Sequence, residues 1–242
     1  MSDLKNDLEK YLSDFITPKR LGLFQQAAAS RTRFLTVVLE DVFDPSDASA
    51  VMRSCECFGV QDLHIISQRT KFKVSSGVAV GASKWISLHQ YKDPDANNTD
   101  ACLDRLEENG YSLVAIRPDA PSIQELPTDK KMALCLGSGS LGLSENLLSR
   151  VHASASIPTA GFTQTFNISV CAALCLADLR ERMVHAPWQL SDEEQQDLRL
   201  EWLAKMPKRI KQLVARFLVE RKLDVSALEH AGVTPAALKS MI

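Results

Sequence analysis

The sequence predicts an α/β domain with a largely parallel sheet, carried between two helical flanks. Short apolar runs recur from Phe34 to Pro158, and segments of helical spacing separate them. After "VHAPWQLSDEEQQ" the pattern becomes wholly helical. Strands alternating with helices argue for parallel βα units, whose ligands bind at the carboxyl ends of the strands.

The elements follow in order. Leu4 to Ile16 spaces its apolar residues helically, and Thr17-Pro18 is a cap followed by proline at the first position of a second helix. "FLTVVLE" (Phe34 to Glu40) is a buried strand, and a helix runs from near Ser46 through Val51 and Cys55 to Gly59. "DLHIIS" is the next strand. "WISLHQY" (Trp85 to Tyr91), "YSLVAIR" (Tyr111 to Arg117), "MALCLG" (Met132 to Gly137) and "ASASIP" (Ala153 to Pro158) are the others. Thr99 to Asn109 is helical. Beyond the domain, Ser191 caps one helix and Thr234-Pro235 opens the last. The expected division is an N-terminal helical extension over 1–30, the α/β domain over 31–183 and a basic helical extension over 184–242.

Composition sets limits on function. At 242 residues, 45% hydrophobic and 24% charged, the chain reads as a soluble protein with one sizeable core. The longest apolar run, near Val170 to Ala177, is too short to span a bilayer, and the start "MSDLKNDLEK" is charged where a signal peptide is apolar. A cytoplasmic protein without a membrane partner is expected. Six cysteines form no C-x-x-C pair and read as reduced core residues. Cys171 and Cys175 lie one helical turn apart with no histidine nearby in sequence, so no metal site is expected.

The net charge of −2 hides an uneven distribution. Arg199, Lys205, Lys208, Arg209, Lys211, Arg216, Arg221 and Lys222 face only Glu201 and Glu220 in their stretch. Lys19, Arg20, Arg31 and Arg33 form a second basic stretch, and Arg69, Lys71 and Lys73 a third. Any one of them reads as a solvated face; three together favour a polyanion partner.

Gly137-Ser138-Gly139-Ser140-Leu141-Gly142 has the spacing of a dinucleotide fingerprint, and Ser144 and Glu145 follow as a cap and a first-turn acid. An NAD site also needs a carboxylate about 20 residues further on. Between Glu145 and Asp178 there is none. The loop therefore reads as a ligand cradle for something other than NAD, or as a packing turn.

Three segments fall at three expected strand ends: "DVFDPSDASAVMRSCECFG", "LGSGSLGLSE" and "SIPTAGFTQTFNISVCAAL". Together they resemble the SpoU/TrmH family of RNA 2′-O-ribose methyltransferases, within the SPOUT class, from about Phe34 to Arg182. The helical flanks resemble its tRNA-specific branch more weakly. The resemblance implies a parallel sheet whose C-terminal part is threaded into a deep trefoil knot, an exception to the general absence of knots. It also implies that the glycine loop cradles S-adenosylmethionine, with Ile116, Gly137, Gly142, Ile157 and Phe166 lining the cofactor pocket.

Arg53 matches the family's catalytic arginine and Asn167 its third-motif asparagine, while Thr165 stands where serine is usual. The role proposed in the family for this arginine is general base on the ribose 2′-hydroxyl, aided by a substrate phosphate. A guanidinium seldom gives up its proton, so holding phosphate and stabilising charge on the 2′-oxygen is the less demanding role. Asn167 also reads as a plain helix cap. Two departures stand out: Asp47 replaces the usual first-motif asparagine, and Gly139 the usual second-motif glutamate. Either Asp47 supplies an acceptor that Gly139 cannot, or turnover is weakened.

The activity implied is methylation of the D-loop guanosine ribose at tRNA position eighteen, by a homodimer with active sites at the subunit interface. Lys19, Arg20, Arg31, Arg33, Lys208, Arg209 and Lys211 would hold the backbone of tRNA, with no DNA partner. The rival is a relative that binds RNA but has lost turnover.

Overall fold

A computed structural model describes residues 2–139, 141–206 and 208–241; Ser140 of the glycine segment lies outside them. The chain divides into two units, Thr32–Trp188, and Met1–Arg31 together with Gln189–Ile242.

In the first unit the run "LTVVLE" forms β1 (Leu35–Glu40), buried along its whole length. It lies between β2 (Asp62–Ile66) and β5 (Met132–Gly137), parallel to both. β3 (Ser87–Tyr91) adds beyond β2, and β4 (Ser112–Ile116) and β6 (Ala153–Ala155) beyond β5. The order is β3-β2-β1-β5-β4-β6, every pair parallel. Inner strands of such a sheet are covered on both faces, which is why they read as unbroken apolar runs.

Alternation divides the core. Val37 and Leu39 face the layer of α3 (Pro45–Cys57) and α7 (Ile168–Arg182), where Val51, Met52 and Cys55 meet Ala172, Cys175 and Leu176. Val38 faces the opposite layer, with Cys102 and Leu106 of α5 (Asn98–Glu108) and Cys135 of β5. Each fully buried aliphatic side chain contributes about 1.5–3 kcal/mol of transfer free energy. Asp44 caps α3, its Oδ1 accepting from Ser46 N at 2.7 Å, and Pro45 occupies the first helical position. Two short helices complete the unit, α4 (Ser76–Ala79) and α6 (Glu145–Leu148), the latter a single turn capped by Ser144.

The second unit is helical: α1 (Ser2–Ser13), α2 (Pro18–Ala29), α8 (Asp192–Lys205), α9 (Ile210–Arg221), α10 (Val225–His230) and α11 (Pro235–Met241). Trp202 of α8 is buried with Phe24 of α2 edge-on, ring centroids 5.6 Å apart. Lys5 and Arg199 tie α1 to α8 through Asp197 and Glu9 at 2.5 and 2.6 Å. Ser191 and Glu194 close a capping box at the start of α8. Among the described residues no helix is long and apolar enough to cross a membrane.

Candidate active site

The carboxyl ends of β4, β5 and β6 open into a cavity of about 350 Å³, a size usual for small-molecule sites. Ile116, Gly137, Gly142, Ile157, Phe166 and Thr165 all line it. Beside it, β1 and β5 lie next to each other while their chain connections diverge, Glu40 opposite Gly137 in register, although no β1 residue lines the cavity. Such a switch point is where open parallel sheets leave room for a ligand.

Glycine is required at two loop positions for different reasons. The turn after β5 doubles back, Gly142 N donating to Ser138 O at 2.7 Å. That brings the Gly142 carbonyl and Leu143 N against the 137 α-carbon, where a Cβ would collide with backbone. Gly142 itself has φ +66, the left-handed region that side chains disfavour. Gly139 has neither constraint: its φ is not in that region, and an added Cβ meets open space.

A buried carboxylate fastens this turn. Glu40, 2% exposed, accepts from Ser144 N at 2.7 Å, Ser144 Oγ at 2.8 Å and Thr99 Oγ1 at 2.9 Å. Four lone-pair sites on an ionised carboxylate accommodate these donors. Ser144 Oγ meanwhile accepts from Leu147 N at 3.2 Å, so one hydroxyl links β1 to α6. Sequence reasoning missed Glu40 because its partners lie 59 and 104 residues away; the only signal is a charge closing an apolar strand. Arg117 and Asp119, the charged side chains of the cavity wall, were also missed. Cys171 lines the cavity too, and the neighbouring Cys175 thiol holds its pKa below the usual thiol range.

Packing of α7 on α3 joins the first and third motifs. Asn167 Oδ1 caps α7, accepting from Ser169 N at 2.9 Å, while its Nδ2 donates to Asp47 Oδ1 at 2.8 Å. One amide therefore serves both as cap and as link to α3. Asp47 lies in the first turn of α3, where the helix dipole favours negative charge. Arg53 does not line the cavity; it is exposed, six residues further along α3.

The expected RNA-contacting residues divide. Lys19, Lys208, Arg209 and Lys211 are exposed. Arg20 lies over the Phe24 ring and donates to Met206 Sδ at 3.5 Å. Arg31 is set apart from them: it is only 3% exposed, with its guanidinium 5.5 Å from the Trp202 ring centre. Arg33 is held by Asp62, Nε to Oδ2 at 3.0 Å.

A model of the SpoU rRNA methylase family matches residues 34–177, more than half of the chain. The chain belongs to the SpoU rRNA methylase family. The tRNA (guanosine(18)-2′-O)-methyltransferase of Borreliella burgdorferi is 35% identical over 201 residues, 81% of this chain and 90% of that one. The crystal structure of the Aquifex aeolicus TrmH/SpoU tRNA modifying enzyme superposes with a TM-score of 0.66 at 24% identity, covering 76% of this chain and 95% of that one. An AdoMet-bound rRNA methyltransferase from Sinorhizobium meliloti shares the fold at a TM-score of 0.57 and 19% identity, over 64% of this chain and 59% of that one. In this SpoU chain, the matched region spans the cavity, the glycine turn and the Asp47–Asn167 link.

Proposed function

We propose that the protein transfers a methyl group from S-adenosylmethionine to the 2′-hydroxyl of guanosine 18 in tRNA. One observation carries the reading: in a SpoU chain, the glycine turn closes at a cavity walled by the segments after β4, β5 and β6. The walls fit this cofactor. Ile116, Leu136 and Ile157 offer apolar surface, and the bare 137 α-carbon lets the 142–143 backbone approach closely. Bound there, S-adenosylmethionine supplies an electrophilic methyl group.

The chain's own groups handle the ribose. Arg53, exposed and without an ion pair among the described residues, binds a substrate phosphate and stabilises negative charge on the 2′-oxygen. Asp47 Oδ2, the oxygen Asn167 leaves unengaged, is the acceptor for the hydroxyl proton. Thr165 lines the cavity just before α7, Asn167 holds Asp47 from the start of α7, and Gly139 contributes no side chain. We place the catalytic domain at 31–183, with the segments after β5 and β6 threaded as a trefoil knot. A homodimer agrees with the exposed Val170 and Leu174, four residues apart on α7 so as to share a face.

A single-turnover assay with labelled cofactor and unmodified tRNA transcript tests the reading. Wild type transfers label to guanosine 18, and Arg53→Ala loses at least tenfold, about 1.4 kcal/mol of transition-state stabilisation, while cofactor affinity is kept. A variant that keeps more than about a tenth of the rate removes Arg53 from the mechanism.

A further inference from the structure

Between β2 and α4 the segment 67–75 is neither helix nor strand, yet it is fastened along its length. Ser67 N donates to Tyr91 O at 2.9 Å, and Gln68 Oε1 accepts from Asn98 N at 2.9 Å. Buried Asp41 takes Arg69 N and Thr70 N on Oδ1 at 2.8 and 3.2 Å, and Arg69 Nε on Oδ2 at 3.2 Å. The Phe72 side chain packs on the main core. Ser75 N closes the segment onto the buried Ser49 Oγ at 2.9 Å. Asp41 itself has φ 48, a conformation that persists where its surroundings over-determine it.

What these anchors leave outside is charge. Lys71 and Lys73 are exposed on either side of the inward-packed Phe72, and Arg69 is half exposed. Among the described residues neither lysine has an ion-pair partner. Position matters as much as sign. Ser49 and Arg53 are four residues apart on α3 and share a face, so the segment ends on the side of the helix that bears Arg53. Asp41 directly follows β1, so the anchor lies at the ligand-binding edge of the sheet. A backbone immobilised by this many anchors, with its cations turned outward, suits a rigid polyanion better than a small anion.

We infer that segment 69–73 is a preformed seat for the RNA sugar-phosphate backbone, holding the strand that presents the target ribose to Arg53. The inference rests on the reading of the protein as an RNA methyltransferase, but its test does not need turnover. In Lys71→Ala/Lys73→Ala, the log–log salt slope of tRNA association should fall by about two, one for each phosphate no longer neutralised. The KM for tRNA at about 150 mM salt should rise about fivefold or more, with S-adenosylmethionine affinity and the single-turnover rate at saturating tRNA unchanged. Lys130→Ala/Lys131→Ala makes the same charge change at the amino end of β5 and should leave the slope alone. An unaltered slope in the first variant, an equal fall in both, or no salt-dependent tRNA binding by wild type each overturns the seat. A wild type that binds tRNA with the expected slope but transfers no methyl group overturns the catalytic reading and leaves the seat standing.

Discussion

At position 137 the missing side chain does the structural work. The turn that forms the cavity wall passes so close that any Cβ meets the Gly142 carbonyl and Leu143 N, which are backbone atoms unable to rotate away. Gly137→Ala should therefore displace the turn, weaken S-adenosylmethionine binding at least tenfold and cost roughly 1–3 kcal/mol of stability, as overpacking usually does. Gly139→Ala, two residues on and open at Cβ, should stay within about twofold of wild type in affinity. Calorimetric titration with cofactor and urea unfolding of both variants check this; equal effects would mean the turn is not rigid where the collision is expected. The spacing of glycines was legible in the sequence, but their separate reasons were not, because both letters look alike until the turn closes. Asn167 was open between cap and site residue; it is a cap, and because the cap uses the oxygen the nitrogen is left to reach Asp47. The burial of Arg31 was not legible, because a charge pattern carries no information about a tryptophan 171 residues later.

The sheet edge formed by β2 and β3 holds the clearest titration. His64 of β2 is buried, stacks on His89 of β3 with ring centroids 4.6 Å apart, and lies 3.1 Å from the Tyr91 hydroxyl. Burial first, and then repulsion from His89, press its pKa from 6.5 down to about 3. The sign follows. Between about 6.5 and about 3 the unfolded chain binds a proton at His64 that the folded chain does not, so stability falls as pH drops through that window. The slope is at most about 1.4 kcal/mol per pH unit. Asp62 acts lower: burial raises its pKa, but the His89 hydrogen bond and Arg33 outweigh burial and hold it below 3.8, so its stabilisation is present above 3.8 and is lost as pH falls through the lowered pKa. Urea unfolding at pH 7 and pH 5 should show wild type losing about 1–2 kcal/mol and His64→Gln losing clearly less. Equal losses would place the acid sensitivity elsewhere. The strands themselves were legible, every expected run overlapping an observed strand with ends within three residues of it. Which histidine would be buried against another was not, since that depends on parallel register, His64 opposite His89.

Over the whole molecule, cations are concentrated at a helix start whose dipole opposes them. Lys208, Arg209 and Lys211 cluster at the start of α9, the end of a helix that carries partial positive charge. That first turn has no acidic residue and no side-chain cap, although α2, α3, α5, α7 and α8 are capped by Thr17, Asp44, Asn97, Asn167 and Ser191. Cations against the dipole cost about 0.3–1 kcal/mol each at low salt. Phosphate groups at a helix start are attracted both by such cations and by the first-turn backbone N–H groups. Replacing all three by glutamine should therefore move two measurements in opposite directions. Thermal stability should stay level or rise by a few degrees, because the repulsion is removed. Affinity for tRNA should fall and its log–log salt slope flatten by up to about three, with S-adenosylmethionine affinity unchanged, because fewer phosphates are neutralised. If these residues are only a solvated face, the slope will not change. If they are structural, as Arg31 is, stability will fall together with binding, and the loss of affinity will be the same at every salt concentration.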